Sequence, residues 1–116
     1  MYVRIEARNA EISRTSREWI ERRLLFALSR FGERIRSVTA LMEDINGPRG
    51  GKDQRCKIEV SLVPSGSIMA EATDTEVAAA VGRAAERVAR RVRDALDRRR
   101  TLRTRTTTPR ETDDLA

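Results

Sequence analysis

The sequence predicts an α+β fold: a four-stranded mixed sheet with two helices packed on one face, in the order βαβββα. Two observations carry the prediction. Four short segments alternate apolar and polar residues, and two longer segments repeat apolar residues at helical spacing. Residues 1–100 are predicted to form a single domain. Residues 101–116 are rich in Thr and Arg without an apolar period, which predicts a flexible tail.

The first strand and the first helix are predicted from the amino-terminal segment. Residues 2–7 alternate, so Val3, Ile5 and Ala7 share one face. Ser13 is a suitable N-cap for the helix that follows, which we expect to run over about residues 14–31. Its apolar stripe consists of Ile20, Leu24, Ala27, Leu28 and Phe31.

Three further strands and the second helix complete the predicted domain. Residues 37–45 and 55–63 alternate, and a Pro-Ser-Gly turn at 64–66 joins the latter to a strand in SIMAEAT. A helix reaching about Arg100 carries this apolar stripe: Val77, Val81, Ala84, Ala85, Val88, Val92 and Leu96. A helix between the first two strands predicts that they are parallel, whereas the hairpins predict antiparallel pairs.

The composition excludes several classes of function. The chain has no His and one cysteine, Cys56, so neither an internal disulfide nor a plausible zinc, iron or copper site is expected. The usual neutral-pH base is also missing, and we predict no enzyme activity, no cofactor and no small-molecule substrate. No run approaches the roughly 18 apolar residues that span a bilayer, and a cytoplasmic protein without membrane contact is predicted.

The basic charge is confined to one part of the sequence. The net charge is +6, and residues 83–105 hold ten Arg against Glu86, Asp94 and Asp97. Residues 1–82 are nearly balanced, and residues 106–116 are net acidic. Intrahelical ion pairs are the purely structural interpretation of these charges, but most guanidinium groups would then lack a partner. The localised excess therefore favours binding to a polyanion.

The helical periodicity selects candidate contact residues. On the polar arc of the second helix lie Arg83, Arg87, Arg90, Arg91 and Arg98. Opposite the apolar stripe of the first helix lie Trp19, Arg22, Arg23, Phe26 and Arg30. Trp19 and Phe26 either stack on bases or bind a partner, or they fold over and complete the core; the sequence leaves both open. The sequence favours a monomer and does not exclude a weak dimer.

The segment NGPRGGKDQ is too rich in Gly and Pro for a regular element. It lacks the ending of a Walker A motif. A plain loop is the favoured interpretation, and a loop that lends Arg49 and Lys52 to RNA is the alternative. Cys56 follows it in an alternating strand, which predicts a buried structural thiol.

Four segments together resemble one known family. They are ARNAEISRTSREWIERRL, LSRFGERIRSV, IEVSLVPSGSIMAEAT and EVAAAVGRAAERVARRV, in register over roughly residues 2–100. The chain is similar in these segments to the family of ribosome hibernation-promoting factor and ribosome-associated inhibitor A, in its short, sigma-54 modulation protein-like form. The chain departs from the usual family pattern at Ala78 and where Asp94 and Ala95 interrupt a basic run.

The resemblance implies a translation regulator that binds the small ribosomal subunit and its rRNA and occludes the tRNA and mRNA channel. By position, it implies that the residues facing RNA are Arg8, Arg23, Arg30, Arg87, Arg90 and Arg91. Two alternatives remain from the residues alone: a generic RNA-binding module, and a protein-interaction or dimerisation module that does not bind ribosomes.

Overall fold

A computed structural model describes the backbone of residues 1–9, 11–45 and 54–115, and the side chains of these up to residue 102. It confirms the predicted βαβββα order and the four-stranded mixed sheet. The elements are β1 (Tyr2–Arg8), α1 (Arg14–Leu28), a 3-10 helix (Ser29–Arg34), β2 (Ile35–Asp44), β3 (Gln54–Leu62), β4 (Ser67–Asp74) and α2 (Val77–Leu115).

The sheet follows the chain, in the strand order β1-β2-β3-β4. β1 and β2 are parallel, and the other two pairs are antiparallel, as the connections predicted. One row across the sheet shows the register: Ile5 lies opposite Ala40, Ala40 opposite Ile58, and Ile58 opposite Ala70. β1 and β4 are therefore the two edge strands.

The core lies between one face of this sheet and the two helices. The inward residues of the strands alternate with outward ones, and those of the central strands β2 and β3 are almost inaccessible. Ile20, Leu24 and Leu28 of α1 belong to the same apolar cluster. A fully buried side chain of this size contributes about 1.5–3 kcal/mol to the stability of the fold. Burial of the inward strand residues against the apolar stripes of the helices therefore holds both helices on one face of the sheet.

The buried stripe of α2 is made mainly of small residues: Ala80, Val81, Ala84, Ala85, Val88, Ala89, Val92 and Ala95. The strands beneath it also present small side chains, including Ala70 and Ala72 of β4. Because neither surface carries a large ring, the helix backbone packs closely over β3 and β4. The outer arc of α2 is thereby brought beside the edge strand.

Two boundaries differ from the predicted ones. Ser13 caps α1 as expected, accepting a hydrogen bond from the Ser16 amide at 3.1 Å, but α1 ends at Leu28 and continues as the 3-10 helix. β2 then begins at Ile35, two residues before the predicted start. A register shift between Ile35 and Ser37 changes the phase of the alternation, which lets Ile35 and Val38 both face the core.

The end of α2 was also predicted too early. The helix was expected to stop near Arg100 and continues to Leu115. The flexibility of residues 101–116 stays a prediction. The loop prediction for NGPRGGKDQ, with its candidate contacts Arg49 and Lys52, falls mainly on residues 46–53, which lie outside the described residues.

The turn between β3 and β4 is held against α2 by one side chain. The Leu62 amide donates to the Gly66 carbonyl at 2.8 Å, and Arg99 Nη2 donates to the Ser65 carbonyl at 2.6 Å. Gly66 has a φ of +98°, and a Cβ at this position would lie 2.7 Å from Arg99 Nη2. The turn therefore needs glycine for two reasons, its backbone conformation and the approach of Arg99.

We predict that Gly66→Ala lowers the free energy of unfolding by about 1–3 kcal/mol, because alanine is strained at this φ and its methyl group displaces Arg99. Gly82→Ala is the matched control. Gly82 lies inside α2, and a methyl group added there would meet nothing within 4 Å, so alanine should stabilise the protein by about 0.5–1 kcal/mol. Urea unfolding of both variants measures the difference, and equal effects would contradict the role assigned to Gly66.

Candidate nucleic-acid interface

The two outer surfaces of the protein carry different charge. The open face of the sheet mixes both signs: its basic residues are Arg4, Arg8, Arg55 and Lys57, and its acidic residues are Glu6, Glu43, Glu59 and Glu71. Glu43 lies between Arg8 and Arg55 in the register and forms ion pairs with both. This face is electrically balanced.

The helix layer is strongly basic by contrast. Up to residue 102, α2 carries eight Arg against Glu86, Asp94 and Asp97. Nearly all of these arginines are exposed. The excess positive charge of residues 83–102 therefore lies on the side of the protein opposite the balanced face, on one elongated helix.

One group of arginines on α2 leans over the edge strand β4. Arg87 Nη1 donates to the Glu71 carbonyl at 2.8 Å, and Arg91 Nη1 donates to the Met69 carbonyl at 2.5 Å. One turn earlier, Arg83 pairs with Asp74 at 3.7 Å. A spacing of four residues along the helix thus covers backbone acceptors of a strand that has no neighbour on this side.

At the opposite edge of the sheet, an arginine also covers a backbone carbonyl of the edge strand β1. Arg17 of α1 donates through Nη1 to the Ile5 carbonyl of β1 at 2.7 Å. Backbone groups of edge strands invite pairing with another chain, and charged side chains reduce that tendency. Arg17, Arg87 and Arg91 therefore have a structural role in addition to any role in binding.

Asp74 organises the connection that leads into α2. Its Oδ1 accepts a hydrogen bond from the Glu76 amide at 3.3 Å. This bond is the main cause that lowers the pKa of the Asp74 carboxyl, with smaller contributions from Thr75 and from the charge of Arg83. The charged form of the carboxyl is thus favoured beside Arg83, the first of the three arginines that lean over β4.

A second group of arginines faces α1 across a groove of about 620 Å³. Arg23 and Arg30 line it from the α1 side, and Arg90 and Arg93 line it from α2. The small side chains of Ala27 and Ala89 also border it, and this leaves the space open between the two helices. Glu86 is the single acidic residue among the groove residues.

The four guanidinium groups of the groove differ in their partners. Arg23 Nη2 lies 3.6 Å from Glu86 Oε1 and links the helices, while Arg93 contacts the neighbouring Asp94 at 3.4 Å. Arg23 is half-buried and its partner is exposed, and such solvent-accessible pairs contribute only about 0.2–1 kcal/mol. Arg30 lies over the Phe31 ring, 4.9 Å from its centroid. Among the described residues, neither Arg30 nor Arg90 has a carboxylate partner.

Phe26 projects from α1 at the rim of the groove. Its side chain is 82% exposed, although Phe is one of the residue types most often buried. Four arginines line the groove beside it. The interpretation in which Phe26 folds into the core is therefore wrong. Trp19 is 37% exposed, so that its ring is partly covered. Whether either ring contacts RNA or a partner stays a prediction.

The remaining predicted contact residues lie in three different places. Arg22 is exposed on α1, and Arg98 lies near Arg91 above the start of β4. Arg8 lies on the open face of the sheet, 4.0 Å from Glu43. The set implied by the resemblance is thus divided between opposite faces, because the side chain of Arg8 shares the phase of Arg4 and Glu6 and not that of Ile5.

Among the arginines that sequence reasoning did not single out, three have contacts that bear on the helix layer. Arg93 lines the groove, and Arg17 and Arg99 hold backbone carbonyls. On a helical wheel Arg93 lies at the border of the polar arc, on the side toward Ala89. Its assignment needed the position of α1, which the sequence periodicity of α2 alone does not contain.

Other kinds of site find little support in the described residues. Burial raises the pKa of the Cys56 thiol to about 12, which confirms the predicted buried thiol and leaves it without a nucleophilic thiolate at neutral pH. No cluster of three potential metal ligands occurs in the described part of the chain. Within the same part, no helix has the length and apolar character to cross a membrane.

The sequence profile of one protein family matches residues 3–100; that family is described as sigma 54 modulation protein / S30EA ribosomal protein. The chain belongs to this family. The match begins at Val3 in β1, covers the other three strands and α1, and extends through α2 to Arg100, and it confirms the resemblance found in the sequence. No curated protein sequence matches the chain.

Solved structures agree with membership of the S30EA family. The N-terminal domain of Protein Y from Thermus thermophilus is 26% identical, with a TM-score of 0.64 over 79% of this chain and 96% of that one. A ribosomal subunit interface protein from Coxiella burnetii is 18% identical, with a TM-score of 0.69 over 84% of this chain and 99% of that one. The second likeness concerns the fold alone.

We predict that the double substitution Arg87→Met, Arg91→Met in this S30EA family member lowers the free energy of unfolding by about 1–2 kcal/mol, since two hydrogen bonds to β4 carbonyls are lost. Met keeps a long side chain and a high helix propensity. Arg90→Met, which removes an arginine with no sheet contact, should change stability by less than about 0.5 kcal/mol. Urea denaturation compares them, and an equal loss in both would contradict the edge-strand role.

Proposed function

We propose that the protein is a ribosome-associated translation regulator whose helix layer binds rRNA of the small ribosomal subunit and whose body occludes the tRNA and mRNA channel. The observation that carries the proposal is the separation of charge between the two outer surfaces. The open sheet face has equal numbers of acidic and basic residues, whereas α2 has eight Arg against three acids up to residue 102. Membership of the S30EA ribosomal protein family supports the ribosome as the polyanion that this helix binds.

The electrostatics of such a surface suit a phosphate backbone. Arg presents a planar fork that binds phosphate oxygens in pairs. Each neutralised phosphate releases condensed counterions, so the binding constant falls steeply with salt. Arg30 and Arg90 are the first candidates, because no carboxylate competes for them within the described residues.

The arginines of the β4 edge contribute in a different way. Arg87 and Arg91 each use one nitrogen for a strand carbonyl, yet both side chains stay exposed and a guanidinium has five N–H donors. They add positive potential while holding the sheet edge. Arg8 lies on the other face beside Glu43 and does not belong to the proposed surface.

Occlusion needs binding and no chemistry. Membership of the S30EA ribosomal protein family supports a binding site on the ribosome. A folded domain held in the channel excludes tRNA and mRNA by its volume alone, so neither an enzyme site nor a cofactor is required. The cytoplasm is then the compartment in which the protein acts.

The first test is co-sedimentation with small ribosomal subunits across a salt series. Arg30→Gln, Arg90→Gln should weaken binding by roughly 10-fold or more and reduce the slope of log K against log salt, because phosphate contacts are lost. The matched control is Arg4→Gln, Lys57→Gln. It removes the same charge from the open sheet face and should bind nearly as the wild type does.

Equal losses in the two double variants would show that net charge, and not the helix layer, determines binding. Wild-type protein that fails to sediment with subunits, or whose binding is insensitive to salt, would overturn the proposal. Occlusion has its own measurement: subunits loaded with mRNA and tRNA should bind the protein less tightly than empty ones, and the protein should inhibit translation in vitro in the same concentration range.

A further inference from the structure

The α1–α2 groove joins an exposed aromatic ring to a cluster of guanidinium groups. Phe26 is 82% exposed at the rim, and Arg23, Arg30, Arg90 and Arg93 surround the groove. Nothing in the described structure covers the ring. The two features matter in combination, because the exposed face of the ring is free to stack on a ligand whose charge is attracted by the four arginines.

We infer that the groove binds one unstacked nucleotide of a single-stranded RNA segment, with the base stacked on Phe26 and the adjoining phosphates bound by Arg30 and Arg90. This inference rests on the proposed rRNA-binding function and deepens it, because it specifies which form of RNA the helix layer contacts. The volume of about 620 Å³ suits a ligand of nucleotide size.

The chemistry of the groove selects single-stranded over duplex RNA. In an A-form duplex the base faces are stacked on one another and unavailable, whereas single-stranded loops and ends present bases that can stack on aromatic side chains. A phenyl ring has no hydrogen-bonding group, so the contact is tolerant of sequence. The guanidinium groups bind the phosphates that flank the base.

The charge of the groove opposes association with a second copy of this chain. Four arginines and one acidic residue, Glu86, line the groove beside Phe26, so a partner needs a strongly negative surface. A symmetric dimer across this groove would bring two sets of Arg30 and Arg90 face to face, and like charges would oppose it. A polyanion with flat apolar bases meets both features at once.

The test compares Phe26→Leu, which keeps an apolar side chain, with Phe26→Trp, which keeps an aromatic ring. Binding to a labelled single-stranded RNA 12-mer is measured by fluorescence anisotropy at fixed salt. We expect Phe26→Leu to bind roughly 5- to 100-fold more weakly than the wild type. Phe26→Trp should bind at least as tightly as the wild type, and the salt slope should be the same for all three.

Two further RNAs isolate the stacking contact. A 12-mer with abasic positions should bind the wild type more weakly than the normal 12-mer, and Phe26→Leu should no longer distinguish them. A 12-base-pair RNA duplex should bind wild type and Phe26→Leu equally, because it offers no free base. If Phe26→Leu binds the normal 12-mer as the wild type does, or loses duplex binding to the same extent, the inference is wrong.

A spectroscopic readout reports the ring directly. Trp19 is the only tryptophan, so Trp19→Phe, Phe26→Trp moves the single indole to the proposed stacking position. Its fluorescence should be quenched by the normal 12-mer and much less by the abasic one. Equal quenching by both would contradict base stacking.

Light scattering tests whether the ring instead mediates self-association. A dimer of the wild type that Phe26→Leu abolishes would assign the ring to a protein interface and would overturn the inference.

Co-sedimentation separates this inference from the proposed function. If the wild type does not bind small subunits, the proposed function fails. If the wild type and Phe26→Leu bind subunits equally while Arg30→Gln, Arg90→Gln binds weakly, the helix layer binds rRNA without the stacked nucleotide, and only the present inference fails.

Discussion

The structure depends on the burial of a single face of the sheet. Every strand alternates so that residues such as Ile5, Val38, Ile58 and Ala70 point to one side, and both helices pack there. Because both helices occupy the same layer, their polar arcs become one continuous outer surface. The other sheet face is left to residues such as Glu43 and Arg55 that balance one another. The asymmetry of charge is therefore a consequence of how the core is built.

Small residues in α2 extend this consequence to the sheet edge. Ala84 and Val88 let the helix lie close over β3 and β4, and the arginines on its near side then reach the carbonyls of β4. A helix with bulkier core residues would stand farther from the sheet, and an arginine of fixed length would not reach. The edge strand is thus covered by the same helix that supplies the basic surface.

The arginines consequently divide into two sets with different physical roles. Arg17, Arg87 and Arg91 satisfy backbone carbonyls of the two edge strands, while Arg30 and Arg90 face the groove without carboxylate partners among the described residues. Substitution of the first set changes both the stability of the fold and the electrostatic potential of the surface. Substitution of the second set removes no hydrogen bond to the sheet and, apart from the contact of Arg30 with Phe31, changes only the electrostatic potential, so it is the more direct test of the proposed RNA binding.

Membership of the S30EA family and the geometry of the groove contribute different parts of the functional argument. The family indicates the ribosome as the partner. The groove adds a feature of this chain's own side chains, namely the exposed Phe26 between arginines of two helices. Together they are the basis for the proposal that the helix layer binds rRNA by charge and that the groove stacks on one unpaired nucleotide.

The sequence by itself determined the order of elements, the inward residues and the location of the charge. Cys56, Ile58 and Val60 alternate, and the stripe of α2 repeats at helical spacing; both patterns are local, so they are readable without the fold. Helix ends were less predictable, since α1 passes into a 3-10 helix and α2 continues past Arg100. Terminal turns depend on weak and competing local preferences.

Only the tertiary structure decided which arginines bind sheet carbonyls and which ones face the groove. Arg87 and Arg90 are three residues apart on the same polar arc, and nothing in the sequence distinguishes them. The packing places a strand carbonyl beside Arg87 and an open groove beside Arg90. Likewise the pairing of β1 with β2 places Glu43 beside Arg8 on the open face of the sheet. Periodicity determines which direction a side chain takes from its own element, but the neighbour it meets there depends on how distant parts of the chain are packed.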